Sequence, residues 1–161
     1  MLIHWVIGNG ESRRSINIDN LKGVKYGCNA IYRDFWTDYL FCKDKGISNE
    51  VTFAGCWKDR RVLFQHRWRN DSESRNAYNR ICYWDEDWPD CGTAALRMAT
   101  VNACKYLNDE WKYPGGVEVH MIGFDYDKNC IKIATDINKI LNINNNIKFF
   151  QRDLNNVNLD S

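Results

Sequence analysis

Apolar and polar positions alternate in blocks along the chain. Leu2–Ile7 is a short apolar run stopped by Gly8, and it predicts a first strand. Further strands are expected at Val24–Cys28, Asp38–Cys42, Val62–His66, Val117–Ile122 and Ile147–Phe150. Helical or turn segments are expected between them, at Ser12–Leu21 with Ser12 as N-cap, at Asn29–Phe35 and at Ile47–Cys56. Cys91–Leu107 is the strongest helix: alanine-rich, with apolar residues at i, i+3 and i+4. Pro114-Gly115-Gly116 breaks the chain before the next strand, and Ile133–Leu141 predicts a modest late helix. The polar, tryptophan-rich stretch Arg67–Asp90 has no clear period, although Ile81–Trp84 fits an extra strand.

Strands alternating with helical segments predict an α/β sandwich with a mostly parallel central sheet. There is no internal repeat. One domain is expected over 1–150, with a polar, asparagine-rich tail over 151–161.

Composition narrows the function classes. The chain has 161 residues, 44% hydrophobic, which suits one packed core. A net charge of +1 gives no global field toward nucleic acid or an anionic membrane. No apolar run reaches transmembrane length. The start MLIHWVIG has neither a basic region nor a small-residue cleavage site, so it reads as the first strand rather than a secretory leader. The seven cysteines are odd in number and show no C-x-x-C pair. They read as reduced thiols, mostly within apolar stretches, in a cytoplasmic protein.

The candidate chemistry begins where the first strand ends, in GNGESRR (8–14). Glycines at the carboxyl end of a strand let the backbone turn sharply and let a ligand approach it. Free N–H groups at a following helix start suit an anion. Asn9 adds an amide, Ser12 a hydroxyl, and Arg13 and Arg14 charge-assisted donors. Two other strand ends also place Asn or Asp beside Gly, in YGCNAIYRDF (26–35) and in Ile122-Gly123-Phe124-Asp125. In a parallel sheet these ends converge on one rim.

The series GNGES (8–12), INIDNLKG (16–23), YGCNAIYRDF (26–35), CGTAALRMA (91–99) and HMIGFDY (120–126) resembles the nucleotide-binding half of bacterial CMP-sialic-acid-dependent sialyltransferases. It is similar too to hydroxymethylpterin pyrophosphokinase-like proteins, and to small phage proteins with the same motif order. The resemblance covers residues 2–45 and 88–127. It implies a Rossmann-like three-layer fold that binds a nucleotide-derived small molecule. It also implies roles. Asn9 and Asn29 match asparagines that contact the nucleotide, and Gly8, Gly10 and Ser12 match the loop near its phosphate. Cys91, Gly92 and Thr93 match a Ser/Thr-Gly segment approaching the nucleotide. Gly123 and Asp125 match the end of the base and ribose pocket, and Asp44 matches an acidic position after the third strand.

There are departures. Cys91 stands where Ser or Thr is usual, and Glu11 where proline is common. The relatives carry a catalytic histidine on a lid after the Gly-x-Asp strand, whereas no histidine follows Asp125 here. Binding is therefore better supported than glycosyl transfer, and an enzyme of the glycosyltransferase or nucleotidyl/pyrophosphoryl-transfer type is one use of such a pocket. Two non-enzymatic readings stand beside these. One is a phage protein that sequesters a nucleotide signal of host defence; the other is an interaction module with a vestigial pocket.

Arg60, Arg61, His66, Arg67 and Arg69 cluster around the fourth strand and would meet a phosphate at the carboxyl rim, though solvent-facing charges paired with the acidic stretch are the plainer reading. The acidic run Trp84–Asp90 suits Mg²⁺ beside a phosphate, though a solvated loop is the plainer reading, and no other cofactor is implied. Trp68, Trp84 and Trp88 suit base stacking or, more simply, packing. His4 and His120 lie in apolar strands and read as structural. A chain this aromatic also suits a homo-oligomer.

Overall fold

The computed structural model describes residues 1–65, 81–84, 90–107, 116–123 and 147–151. The strands are β1 (Leu2–Ile7), β2 (Val24–Cys28), β3 (Tyr39–Cys42), β4 (Arg61–Gln65), β5 (Ile81–Trp84), β6 (Val117–Ile122) and β7 (Ile147–Gln151). Two α-helices are described, α1 (Lys45–Phe53) and α2 (Cys91–Leu107). Among the described residues the strands form one sheet, ordered β5-β4-β3-β2-β1-β6-β7, with every neighbouring pair parallel. The chain steps outward from β1 to β5, and after α2 it returns to the far side of β1. The topological switch point therefore lies between β1 and β6. This is the expected single α/β domain of Rossmann-like type.

Both faces of the sheet are covered, so its central strands bury successive residues on opposite sides. Val6, Tyr26, Cys28, Phe41, Leu63, Val119 and Met121 pack against α2. That helix offers Ala94, Ala95, Ala99 and Ala103 around Leu96, small side chains that let it lie close to the sheet. Ile7, Leu40, Cys42, Val62 and Phe64 pack on the other face against Val51 of α1, with Ile18 and Ile31 from the loops.

The loops after β1 and β2 take the turn form of the two that were expected. Ser12–Leu21 forms two 3₁₀ turns, Glu11–Ser15 and Ile18–Asn20, rather than one helix. The Asn17 side chain accepts from the Asp19 amide at 3.1 Å, a local bond that competes with α-helix formation. Ser12 falls inside the first turn, whose cap position is Gly10, so its expected N-cap role is corrected. Asn29–Arg33 is likewise a 3₁₀ turn. α1 begins at Lys45 and ends at Phe53, ahead of Gly55 in the left-handed region at φ 70°. No helix among the described residues is long and apolar enough to cross a membrane. The helix expected at 133–141 and the tail over 152–161 lie outside the described residues.

Candidate functional site

β1 and β6 leave the sheet together. The Gly8 amide donates to the Ile122 carbonyl and the Gly10 amide to the Gly123 carbonyl, both at 2.8 Å. Gly123 sits at φ 73°, and a Cβ there would lie 2.7 Å from the Gly8 carbonyl oxygen. Only glycine fits this approach. Main chain thus closes the switch-point crevice at this level. The polar groups of the rim lie to the β2 side of it. The Gly-Asn-Gly turn leads into a 3₁₀ turn of five residues and not into an α-helix. The anion site expected at a helix start after Gly10 is therefore corrected: so short a turn has almost no macrodipole.

Two asparagines line up the next strand ends. Asn9 Nδ2 donates to the Cys28 carbonyl at 2.9 Å, joining the loop after β1 to the end of β2. Asn29 follows directly and takes φ 47°, the one described non-glycine residue with positive φ. Asn is among the few side chains that tolerate this region. Its Oδ1 accepts from the Lys43 amide at 3.2 Å and from Cys91 Sγ at 3.2 Å, tying β2 to β3 and to the start of α2. These anchors fix which way each amide faces. Asn9 Oδ1, an acceptor, and Asn29 Nδ2, a donor, stay unengaged among the described residues. Asn9 is exposed and Asn29 half-buried.

The start of α2 departs from expectation. Asp90 caps it: Oδ1 accepts from the Thr93 amide at 2.7 Å and Oδ2 from the Thr93 hydroxyl at 2.9 Å. The amide and hydroxyl of Thr93, expected to approach the nucleotide, already hold the Asp90 carboxylate. Cys91 and Gly92 are buried beneath it. Burial pushes the Cys91 thiol up to about 11, and the nearby Asp44 and Asp90 carboxylates push the same way, against a hydrogen bond with the Lys43 backbone. A helix start can activate a cysteine as a nucleophile, but this thiol is held protonated at neutral pH. Asp44 is exposed at the head of α1, where its carbonyl accepts from the Ser48 amide at 2.9 Å.

Arg13 reaches from the loop after β1 to the loop after β2. Its Nη2 pairs with Asp34 Oδ2 at 3.1 Å, and its guanidinium carbon stands 5.7 Å from the centre of the Phe35 ring. The rim thus carries an arginine–aspartate pair between the loops after β1 and β2, and the Asp44 and Asp90 carboxylates near Cys91. Asp125, the acidic stretch 85–89, Trp68, Trp88, His66, Arg67 and Arg69 lie outside the described residues. No group of three or more His, Cys, Asp or Glu that could hold a metal occurs among the described residues.

Sequence reasoning missed Asp34, Lys43 and Asp90. Only Asp90 carries a readable signal, an aspartate three positions before a threonine at the start of an alanine-rich helix. The histidines fit their structural reading. His4 Nδ1 lies 2.9 Å from the Tyr26 hydroxyl, which also takes a hydrogen bond from Asn102 Nδ2 at 3.0 Å. His120 Nε2 meets Glu118 Oε2 at 2.8 Å. Cys28, Cys42, Cys56, Cys91 and Cys104 are free thiols.

No protein-family model, curated protein or solved structure matches the chain.

Proposed function

We propose that the chain binds a nucleotide or nucleotide-derived small molecule at the carboxyl rim and holds it without turnover. The observation that carries this reading is the pair of anchored amides. Asn9 Oδ1 and Asn29 Nδ2 offer an acceptor and a donor from adjoining loops, each held by a bond at its other end. A nucleobase edge or a ribose hydroxyl pair carries the complementary pattern. Amides already held in place lose little freedom on binding. The carboxylates of Asp44 and Asp90 favour placing the nucleoside on their side and the phosphate toward Arg13. The protonated Cys91 thiol supports binding over nucleophilic transfer.

The test is thermal unfolding against CMP, CMP-sugars, UDP-sugars, ADP-ribose and its cyclic forms, cyclic di- and trinucleotides, and pterins. A ligand at 100 times its Kd adds about 2.7 kcal/mol, a rise in Tm of roughly 5–10 °C for a chain of this size. Asn29→Ala should abolish the shift. A cyclic nucleotide recovered intact after denaturation identifies a sequestering protein. A CMP-sugar or pterin that is consumed identifies a transferase instead. A panel that shifts nothing overturns the pocket.

A further inference from the structure

Arg60 lies at the amino-terminal edge of the sheet, directly before β4 and opposite the rim. Arg60 and Arg61 would meet a rim phosphate only from the carboxyl edge; the parallel direction of β4 puts them at the other end. The Arg60 guanidinium carbon stands 4.3 Å over the Trp36 ring. Its Nε and Nη1 are enclosed and have no hydrogen-bond partner. Arg60 makes no ion pair among the described residues. A guanidinium drawn out of water without an acceptor is costly and rare in folded proteins. Stacking on Trp36 uses only its π face and leaves the in-plane donors unspent.

The surroundings are basic and aromatic. Lys58 Nζ lies 5.7 Å from the Trp57 ring centre, and the Arg61 guanidinium carbon 5.7 Å from that of Tyr39. Among the described residues, Asp59 next to it in the chain is exposed, and Asp38 Oδ2 is taken by the Lys25 amide at 2.8 Å. Trp36 is 41% exposed, so part of its ring is open.

We infer that the Arg60–Trp36 corner is a binding site for an oxyanion, carboxylate or phosphate, carried on a planar aromatic ring. The oxyanion seats on Nη2, the guanidinium nitrogen that is not enclosed. There it accepts a charge-assisted hydrogen bond. The planar ring of the ligand covers the open part of Trp36. This site is separate from the rim and does not depend on the function proposed for it.

The test is calorimetric titration of the full chain with benzoate, acetate, phenyl phosphate and inorganic phosphate. The aromatic anions should bind more tightly than acetate and inorganic phosphate, and whichever aromatic probe binds better tells carboxylate from phosphate. Arg60→Gln should weaken the aromatic anions about ten-fold or more. Trp36→Leu should bring benzoate down to the level of acetate. Arg13→Gln, on the rim, should leave benzoate binding unchanged. Should Arg60→Gln not fold, Arg60→Lys keeps the charge without the planar fork and should still weaken benzoate several-fold. Equal affinity in the wild type and the folded Arg60 variants, or no binding of any aromatic anion at millimolar concentration, overturns the site.

Discussion

Asn29 serves both the backbone and the rim, and two substitutions separate the roles. Alanine at φ 47° meets the left-handed penalty of about 1 kcal/mol and loses the bonds from Lys43 and Cys91, together about 2 kcal/mol. Glycine avoids the backbone penalty. Asn29→Gly should therefore be about 1 kcal/mol more stable in urea than Asn29→Ala, while both lose the ligand-induced shift. Equal stabilities would show that the backbone there is unstrained. His4 makes a different prediction. Burial holds its imidazole down at about 4, against an ordinary 6.5. A folded-state value below the unfolded one gives stability that is full above pH 6.5 and falls as pH drops toward 4. The loss is at most about 3 kcal/mol. Glu50 titrates lower: bonds from Arg33 and Tyr32 hold it near 2, so its share is lost below 4.5. Urea midpoints at pH 7.5, 5.5 and 4.5 should fall in the wild type and stay nearly level in His4→Gln over that range.

The elements differ in how far the sequence reveals them. Central parallel strands read as short apolar runs because both faces are buried, as at Val6 and Ile7. α2 was legible from its alanines and its 3.6-residue period. The turns at Glu11–Ser15 and Ile18–Asn20 were not, because segments this short carry no period and are set by packing and local side-chain bonds. The misplacement of Arg60 has a geometric cause. A five-residue strand such as β4 spans about 16 Å, so neighbours in sequence on either side of it do not share an edge. The start of α2 gives a prediction at this scale. Asn caps a helix about as well as Asp, so Asp90→Asn should change stability by less than about 0.5 kcal/mol. It removes the negative charge beside Cys91 and Thr93. With the phosphate toward Arg13, the affinity of a nucleoside monophosphate relative to its nucleoside should change little. A monophosphate that gains clearly on its nucleoside would put the phosphate beside α2 instead.

On the scale of the whole molecule, the rim gathers segments that are distant in sequence. Asn9, Asn29, Lys43, Asp90 and Cys91 meet because β1, β2 and β3 are neighbours and α2 crosses them. Asn9 and Asn29 were readable as candidates because each follows the end of an apolar run. Their anchoring was not, since the Cys28 carbonyl, the Lys43 amide and the Cys91 thiol carry no sequence mark of pairing. This construction sets how a ligand acts on stability. The amides of β1, β2 and β3 lie in the centre of the sheet and should exchange with solvent chiefly through global unfolding. A ligand touching three strand ends and the α2 start is lost when any of them detaches, so it should stabilise the domain as one unit. At 100 times its Kd, exchange of those central amides should slow by about 100-fold, and by nearly the same factor in each strand. Hydrogen exchange read by mass spectrometry separates this from a local effect. Slowing confined to residues 8–15 and 29–33 would mean that the ligand orders two loops without drawing on the sheet, and the amides of Asn9 and Asn29 would then act as independent contacts rather than as parts of one clasp.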